Sequence, residues 1–251
     1  MGPALRLPLC GLILGAPLAA FAWCEAPRQL RQVAADDFRA GLARWRLEAE
    51  DARARVSAQD GVLDIATPAG LSLWWREPLG GDYAIRFTAT ALPAPASAGA
   101  HAGRISDLNM FWNALEADGS PPRPRSGAFA AYDTLPAYYA GFGANGNTTT
   151  RLRHYTGSER QLLAGFADGA IAEPQEQPMT PQTRLHRGQA LQVEIVSRRP
   201  TPEDPVHLRW RAGGQLLFAR ADAQPRLHGH FALRTTASRL HIKDFEILQC
   251  R

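Results

Sequence analysis

Apolar and polar positions alternate with a period of two along most of the chain. Trp45-Arg46-Leu47-Glu48-Ala49-Glu50 is one such run, and Val62-Leu63-Asp64-Ile65 follows the turn pair Asp60-Gly61. Leu71 to Trp75 follows Pro68-Ala69-Gly70, and Tyr83 to Thr88 follows Gly80-Gly81-Asp82. Further strands are predicted over 105–113, 138–145, 149–155, 190–198, 206–212, 215–220, 230–236 and 239–249. Gly213-Gly214 reads as a two-residue hairpin turn. Residues 36–43 allow one helical turn at most. Segments 92–103 and 117–128 are rich in Pro, Gly, Ala and Ser, and 164–184 in Ala, Gln, Pro and Glu, so all three read as loops. With about a dozen strands and almost no helix, the fold class is all-β, a two-sheet sandwich or jelly roll.

The first residues stand apart from this pattern. Arg6 precedes an apolar stretch from Leu7 to Ala19, too short and too Pro-interrupted for a membrane span, and Ala20-Phe21-Ala22 has the form of a cleavage site. Residues 1–22 are therefore read as a secretory signal, and 23–251 as one domain, periplasmic or secreted. No other apolar run is long enough to span a membrane. Cys24 and Cys250 then remain at the two ends of the mature chain, and an oxidising compartment favours a disulfide between them.

The 251 residues are 45% hydrophobic and 21% charged, an ordinary globular balance that excludes a wholly disordered chain. The net charge of +4 invites a nucleic-acid reading. That reading fails on distribution. Lys243 is the one lysine among 28 basic residues, and the arginines are scattered without a basic run. A basic groove for an acidic substrate stays open. The seven histidines are dispersed too. His228 and His230 are two apart but lack a third ligand, so no metal site is read. No cofactor is expected, although a structural calcium ion is common in such sandwiches, and the chain is expected to be a monomer.

Residues 104–155 carry the unusual chemistry. On 105–113, Leu108, Met110 and Trp112 point to one side, and Asp107, Asn109, Phe111 and Asn113 to the other. On 149–155, Leu152 marks the core side, and Arg151, Arg153 and Tyr155 share the opposite one. On 138–145, Tyr139, Gly141, Gly143 and Asn145 share a face, where the two glycines leave room for a ligand ring. Arg86 and Arg234 also sit opposite the core faces of their strands. Were these faces on one sheet, they would form a polar, aromatic groove suited to a sugar chain. Asn145-Gly146-Asn147 can equally be plain hairpin-loop residues.

The segments Arg104-Ile105-Ser106-Asp107-Leu108-Asn109 with Phe111-Trp112, and Tyr138-Tyr139 through Asn145, Asn147 and Arg151 to Tyr155, resemble a bacterial family of exported proteins carried as a domain of unknown function. The resemblance runs from Asp36-Asp37-Phe38 to His241-Ile242-Lys243-Asp244-Phe245. It implies a concanavalin A-like sandwich and export, and it implies no reaction. Ala144 stands where that pattern leads one to expect a second glycine, which narrows the groove.

Two chemistries act on polysaccharides in such sandwiches. Hydrolysis needs two carboxylates roughly 5–10 Å apart, and the E-x-D-x-x-E strand signature is absent. Elimination needs a group facing a uronate carboxylate, a base and an acid. Arg86, Asn109, Asn145, Asn147, Arg151, Arg153 and Arg234 are the expected substrate-binding residues, and Tyr155, Tyr139 and Asp107 the expected catalytic ones. The reading is a carbohydrate-active protein that takes an acidic polysaccharide or oligosaccharide and cleaves it. The alternative is a non-catalytic, lectin-like binding module.

Overall fold

The computed structural model describes residues 30–222 and 227–250. Cys24 and the segment read as a signal lie outside the described residues. Fourteen strands are present among the described residues: β1 Leu30–Asp36, β2 Trp45–Ala49, β3 Arg55–Gln59, β4 Val62–Trp75, β5 Tyr83–Leu92, β6 Leu108–Ala114 and β7 Ala137–Gly143, then β8 Thr149–Tyr155, β9 Arg160–Ala167, β10 Glu176–Pro178, β11 Ala190–Arg198, β12 Val206–Ala212, β13 Gln215–Asp222 and β14 His230–Cys250. They follow the order β10-β9-β8-β7-β6-β14-β5-β11-β12-β13, with β4 also beside β14.

The 21-residue β14 folds this continuous ladder into two facing layers. Its first part, Ala232 to Arg234, pairs with β6, and its later part, Arg239 to Gln249, pairs with β5. Between them the register shifts at Thr236/Ser238, and Ala237 takes a positive φ of 43°. A bulge of this kind sharpens local twist and lets one strand serve two sheets. Pro68, inside β4, falls where the same shift leaves the ladder unpaired, so its missing N–H costs nothing there.

The core lies between the layers. Trp112, Tyr138, Phe142 and Leu152 come from one layer, and Ile195, Leu208 and Trp210 from the other, all buried. Phe142 and Trp210 meet at 5.3 Å, and the Trp210 Nε1–H points at Met110 Sδ, 3.2 Å away. A second apolar cluster sits on the opposite face of the β6–β8 layer. It contains Trp74, Phe111, Tyr132, Tyr139 and Tyr155.

Several expectations need correction. The segment 164–184 is not a single loop: β9 runs to Ala167, and β10 returns parallel to it. Residues 62–65 and 71–75 belong to one strand, as do 230–236 and 239–249. In β4 the turn-forming Pro68-Ala69-Gly70 sits inside a bulged strand, where long-range pairing overrides local preference, and in β14 the bulge at Thr236/Ser238 keeps the strand continuous. β1 is a strand that the alternation does not announce. It lies antiparallel to β14, with Leu30 opposite Cys250. A chain of the length between Cys24 and Leu30 can span up to about 20 Å, long enough for Cys24 to reach Cys250. The mature protein, kept unreduced, is expected to show one Cys24–Cys250 cross-link by peptide mapping; two free thiols would refute it.

A candidate saccharide-binding pit

The antiparallel register of the β4–β14–β6–β7–β8 layer sets side chains in rows across the strands. One row reads Ser72, Arg234, Asn109, Gly141, Arg151. The next reads Trp74, Ala232, Phe111, Tyr139, Arg153. A third holds Ala137, Tyr155 and Arg160. Because side chains alternate along each strand, all three rows share the outer face of this layer. Asp107 and Arg151 are therefore on the same sheet.

A cavity of about 460 Å³ opens on this face. Four arginines line it: Arg104, Arg153, Arg160 and Arg234. Asp107 is the one carboxylate among its lining residues, and Asn109, Tyr139, Asn145 and Phe129 complete the contour. Two of the arginines have acidic partners. Arg104 lies 2.7 Å from Asp107, and Arg160 pairs with Asp133 at the rim. The other two have none among the described residues. Arg234 is 1% exposed. Its Nη1 donates to Ser72 Oγ at 3.1 Å and to the Gly127 carbonyl at 2.9 Å, while Nε and Nη2 are buried without a partner. Its guanidinium also lies 4.9 Å from the Phe129 ring and 5.0 Å from that of Tyr132. Burial lowers the pKa of Arg153, and the guanidiniums of Arg151 and Arg160 push the same way. Buried guanidinium groups without counter-ions are costly unless something anionic or polar meets them.

Asp107 has a positive φ of 66°, which Asp tolerates better than most residues. Its carboxylate accepts from Arg104, from Ser106 Oγ at 2.5 Å and from Asn109 Nδ2 at 3.2 Å. It is a fixed anchor for the pit's edge. Asn109 Oδ1 is buried and has no partner. At Gly141 an added Cβ would come within 3.1 Å of that oxygen and 3.2 Å of Tyr139 Cε1, so the glycine keeps the floor open. Gly143 instead makes room for the core, since a Cβ there would meet Leu185 Cγ at 2.8 Å.

Four expected site residues lie elsewhere. Arg86 is on the other side of β14, ion-paired with Glu194 at 2.6 Å and 3.9 Å from Glu246. Arg151 points along the pit's face but is held by Glu176, whose side chain is 1% exposed. Asn147 spends its amide on Leu185, donating to the carbonyl at 2.8 Å and accepting from the N–H at 2.9 Å. Tyr155 is fully buried, with its hydroxyl unpartnered, against Phe111 and Tyr139. His228 lies outside the strands, so it does not share a strand face with His230. No group of three or more His, Cys, Asp or Glu among the described residues could hold a metal ion. No helix among them is long and apolar enough to cross a membrane.

Sequence reasoning missed Arg104, Phe129 and Arg160. Arg104 was legible, since it opens the same motif as Asp107. Arg160 faces Tyr155 across the hairpin turn at 156–159, a placement that follows once the two strands are paired. Phe129 comes from the 117–128 flank, where the sequence carries no signal that the loop folds back over the sheet.

The tyrosines beside the pit are neutral at physiological pH. Burial raises Tyr139 strongly, and it raises Tyr155 to about 12. A phenol held protonated donates a hydrogen bond or a proton and does not abstract one. A raised folded-state pKa stabilises the fold below the ordinary value of about 10, and that stability is lost as pH rises towards about 12. Tyr155→Phe is therefore expected to leave stability at pH 7 within about 0.5 kcal/mol, since the lost hydroxyl has no partner. The variant should also lose less stability than the wild type between pH 10 and pH 12 in alkaline denaturation. A large loss at pH 7 would show that the hydroxyl is engaged.

A curled two-sheet sandwich with a cationic, aromatic pit on one outer face defines the class of molecule. The match of residues 65–245 to the family model described as a domain of unknown function, DUF6250, places the chain in that family. No protein of curated function matches by sequence. Among solved structures, the chain is similar to a protein of unknown function with a galectin-like fold from Bacillus subtilis, at 14% identity and a TM-score of 0.64, covering 88% of this chain and 100% of that one. It is similar to an endo-1,3-beta-glucanase from Streptomyces sioyaensis, at 13% identity and a TM-score of 0.54, over 89% and 97%. It also resembles the lumenal domain of VIP36 in a form bound to calcium and Man3GlcNAc, at 10% identity and 0.52, over 90% of each chain. These likenesses establish the concanavalin A-like sandwich fold.

Proposed function

We propose that the protein binds an acidic saccharide in the pit formed by β6, β7, β8 and β14. The observation that carries this reading is the pair Arg153 and Arg234. Both line the pit, and neither has a carboxylate partner among the described residues. A sugar carboxylate supplies what they lack through charge-assisted, bidentate bonds. Asn109 and Asn145 fit sugar hydroxyls, and Tyr139 and Phe129 offer ring faces or edges. That structural neighbours include a carbohydrate-binding module and a glucanase supports a saccharide as the ligand class. The leader-like segment supports an exported protein working on extracellular or periplasmic glycans.

Binding without cleavage is the reading the geometry favours. Hydrolysis needs a second carboxylate, and Asp107 is alone in the pit. It already accepts three hydrogen bonds, which suits an anchor better than a base. Elimination is the second reading, favoured by one observation that supplies its acid alone: Tyr139 lies in the same cross-strand row as Arg153, so a protonated phenol stands beside the carboxylate-binding group, and the step would still need a base to take the C5 proton. Incubation with uronate-containing polysaccharides decides between them. Binding without absorbance at the unsaturated-uronate band is expected. Growth of that band would establish elimination, and absence of binding to every acidic glycan would overturn the proposal.

A further inference from the structure

The outer face of the β6–β8 layer is not open along its length. Residues 115–136 leave β6, cross the sheet and return to β7. One internal brace and two anchors to the sheet hold this crossing. Arg125 pairs with Glu116 at 2.7 Å, both largely buried. The Tyr132 hydroxyl donates to Glu48 Oε2 at 2.6 Å, an oxygen that also accepts from Trp74 Nε1 at 3.0 Å. Arg234 donates to the Gly127 carbonyl. Gly127 itself has a positive φ of 87°, and a Cβ there would lie 2.7 Å from Glu50 N and 2.9 Å from Glu48 O. The crossing is a seated wall, pressed backbone to backbone against β2.

The wall closes the pit on two sides. Along the strands, Tyr132 stands over Phe111 and Trp74, Phe129 packs on Tyr139, and the rings of Trp74, Phe111, Tyr132 and Tyr155 are buried. Phe129 is itself clasped, with the Arg160 guanidinium 4.2 Å from its centroid and that of Arg234 4.9 Å away. Across the strands, the Gly127 backbone covers Gly70 so closely that a Cβ built at Gly70 would collide with the Gly127 carbonyl. Arg234, bonded to Gly127, lies at this closed corner, and Arg153 faces it from β8 across β6 and β7. The cavity, about 460 Å³, is at the lower end of small-molecule sites, which span about 300–1,000 Å³.

We infer that the pit takes the terminal sugar of an acidic glycan, with its carboxylate met by the arginines that line the pit, and excludes internal residues of the chain. The inference rests on the acidic-saccharide reading above. A ligand residue lodged at the corner has no route onward past Phe129 or Gly127, and blocking both directions favours a chain end over an internal residue. Calorimetric stoichiometry separates the two ideas. The probes are short, medium and long oligogalacturonates, glucuronate-containing oligomers and alginate-type oligomers. One protein bound per chain at every length is the expected result. Protein bound per chain that rises with chain length would overturn terminal recognition while leaving acidic-saccharide binding intact. Failure of every uronate probe to bind would overturn both. Phe129→Ala opens one side of the corner and should raise the protein bound per long chain above the wild-type value. An unchanged value in a folded Phe129→Ala variant would remove Phe129 from the barrier.

Discussion

Arg151→Ala is expected to destabilise the protein by about 3–5 kcal/mol, because it strands a buried carboxylate. Arg151 Nε pairs with Glu176, and the Glu176 side chain is 1% exposed. Glu176 lies on the three-residue β10, whose ladder contacts are to β9 alone. Its Oε2 is already without a partner, so the pair with Arg151 is what makes its burial tolerable. From sequence, Arg151 reads as a ligand-binding arginine whose removal leaves folding intact. Its placement reverses that expectation. Denaturant unfolding of Arg151→Ala checks it, and the double variant Arg151→Met/Glu176→Leu should recover most of the loss, since paired apolar replacements of a buried ion pair are often neutral. A loss below about 1 kcal/mol would mean that β10 releases Glu176 to water at little cost.

Arg153→Ala is expected to do the opposite, leaving the fold and removing affinity. Arg153 has no protein partner to strand, and burial among rings and like charges opposes its charge. Its loss should leave stability unchanged or slightly improved. Affinity for an acidic saccharide should fall by ~1.5–3 kcal/mol, roughly 10- to 150-fold, the range for a hydrogen bond to a charged group. Arg153→Lys keeps the charge but not the planar fork, and should recover only part of that loss. Equal affinity in Arg153→Ala and wild type would take Arg153 out of the binding site. Arg234 is a less clean probe, because it also holds Gly127 and two rings.

The contrast between Arg151 and Arg153 marks how far the sequence was legible. The period of two put both on one face with Tyr139 and Asn109, and they are there. What separates them is Glu176, twenty-five positions away on a strand too short and too Gln-rich to be read as one. Arg86 shows the same limit. Its face relative to its own strand was correct, but only the route of β14 between layers decides which sheet that face belongs to. The bulge at Thr236/Ser238 that sets this route sits among Thr, Ala and Ser, with no Gly or Pro to announce it. Tyr155 was assigned to the right face as well. The wall that buries it comes from a Pro-rich segment whose docking depends on Glu48 and Arg234, both distant in sequence. Local alternation was thus readable, and the long-range partners that turn a polar face into either a pit or a packed layer were not.

The central claim is that the pit recognises carboxylates. Isothermal titration with a bound uronate oligomer and its carboxyl-reduced, neutral counterpart tests it most directly, with wild type and Arg153→Ala measured side by side. Strong preference for the acidic oligomer in the wild type, weakening as salt is raised and largely lost in Arg153→Ala, is the predicted result. Equal binding of the acidic and reduced oligomers, unaffected by Arg153→Ala, would contradict it.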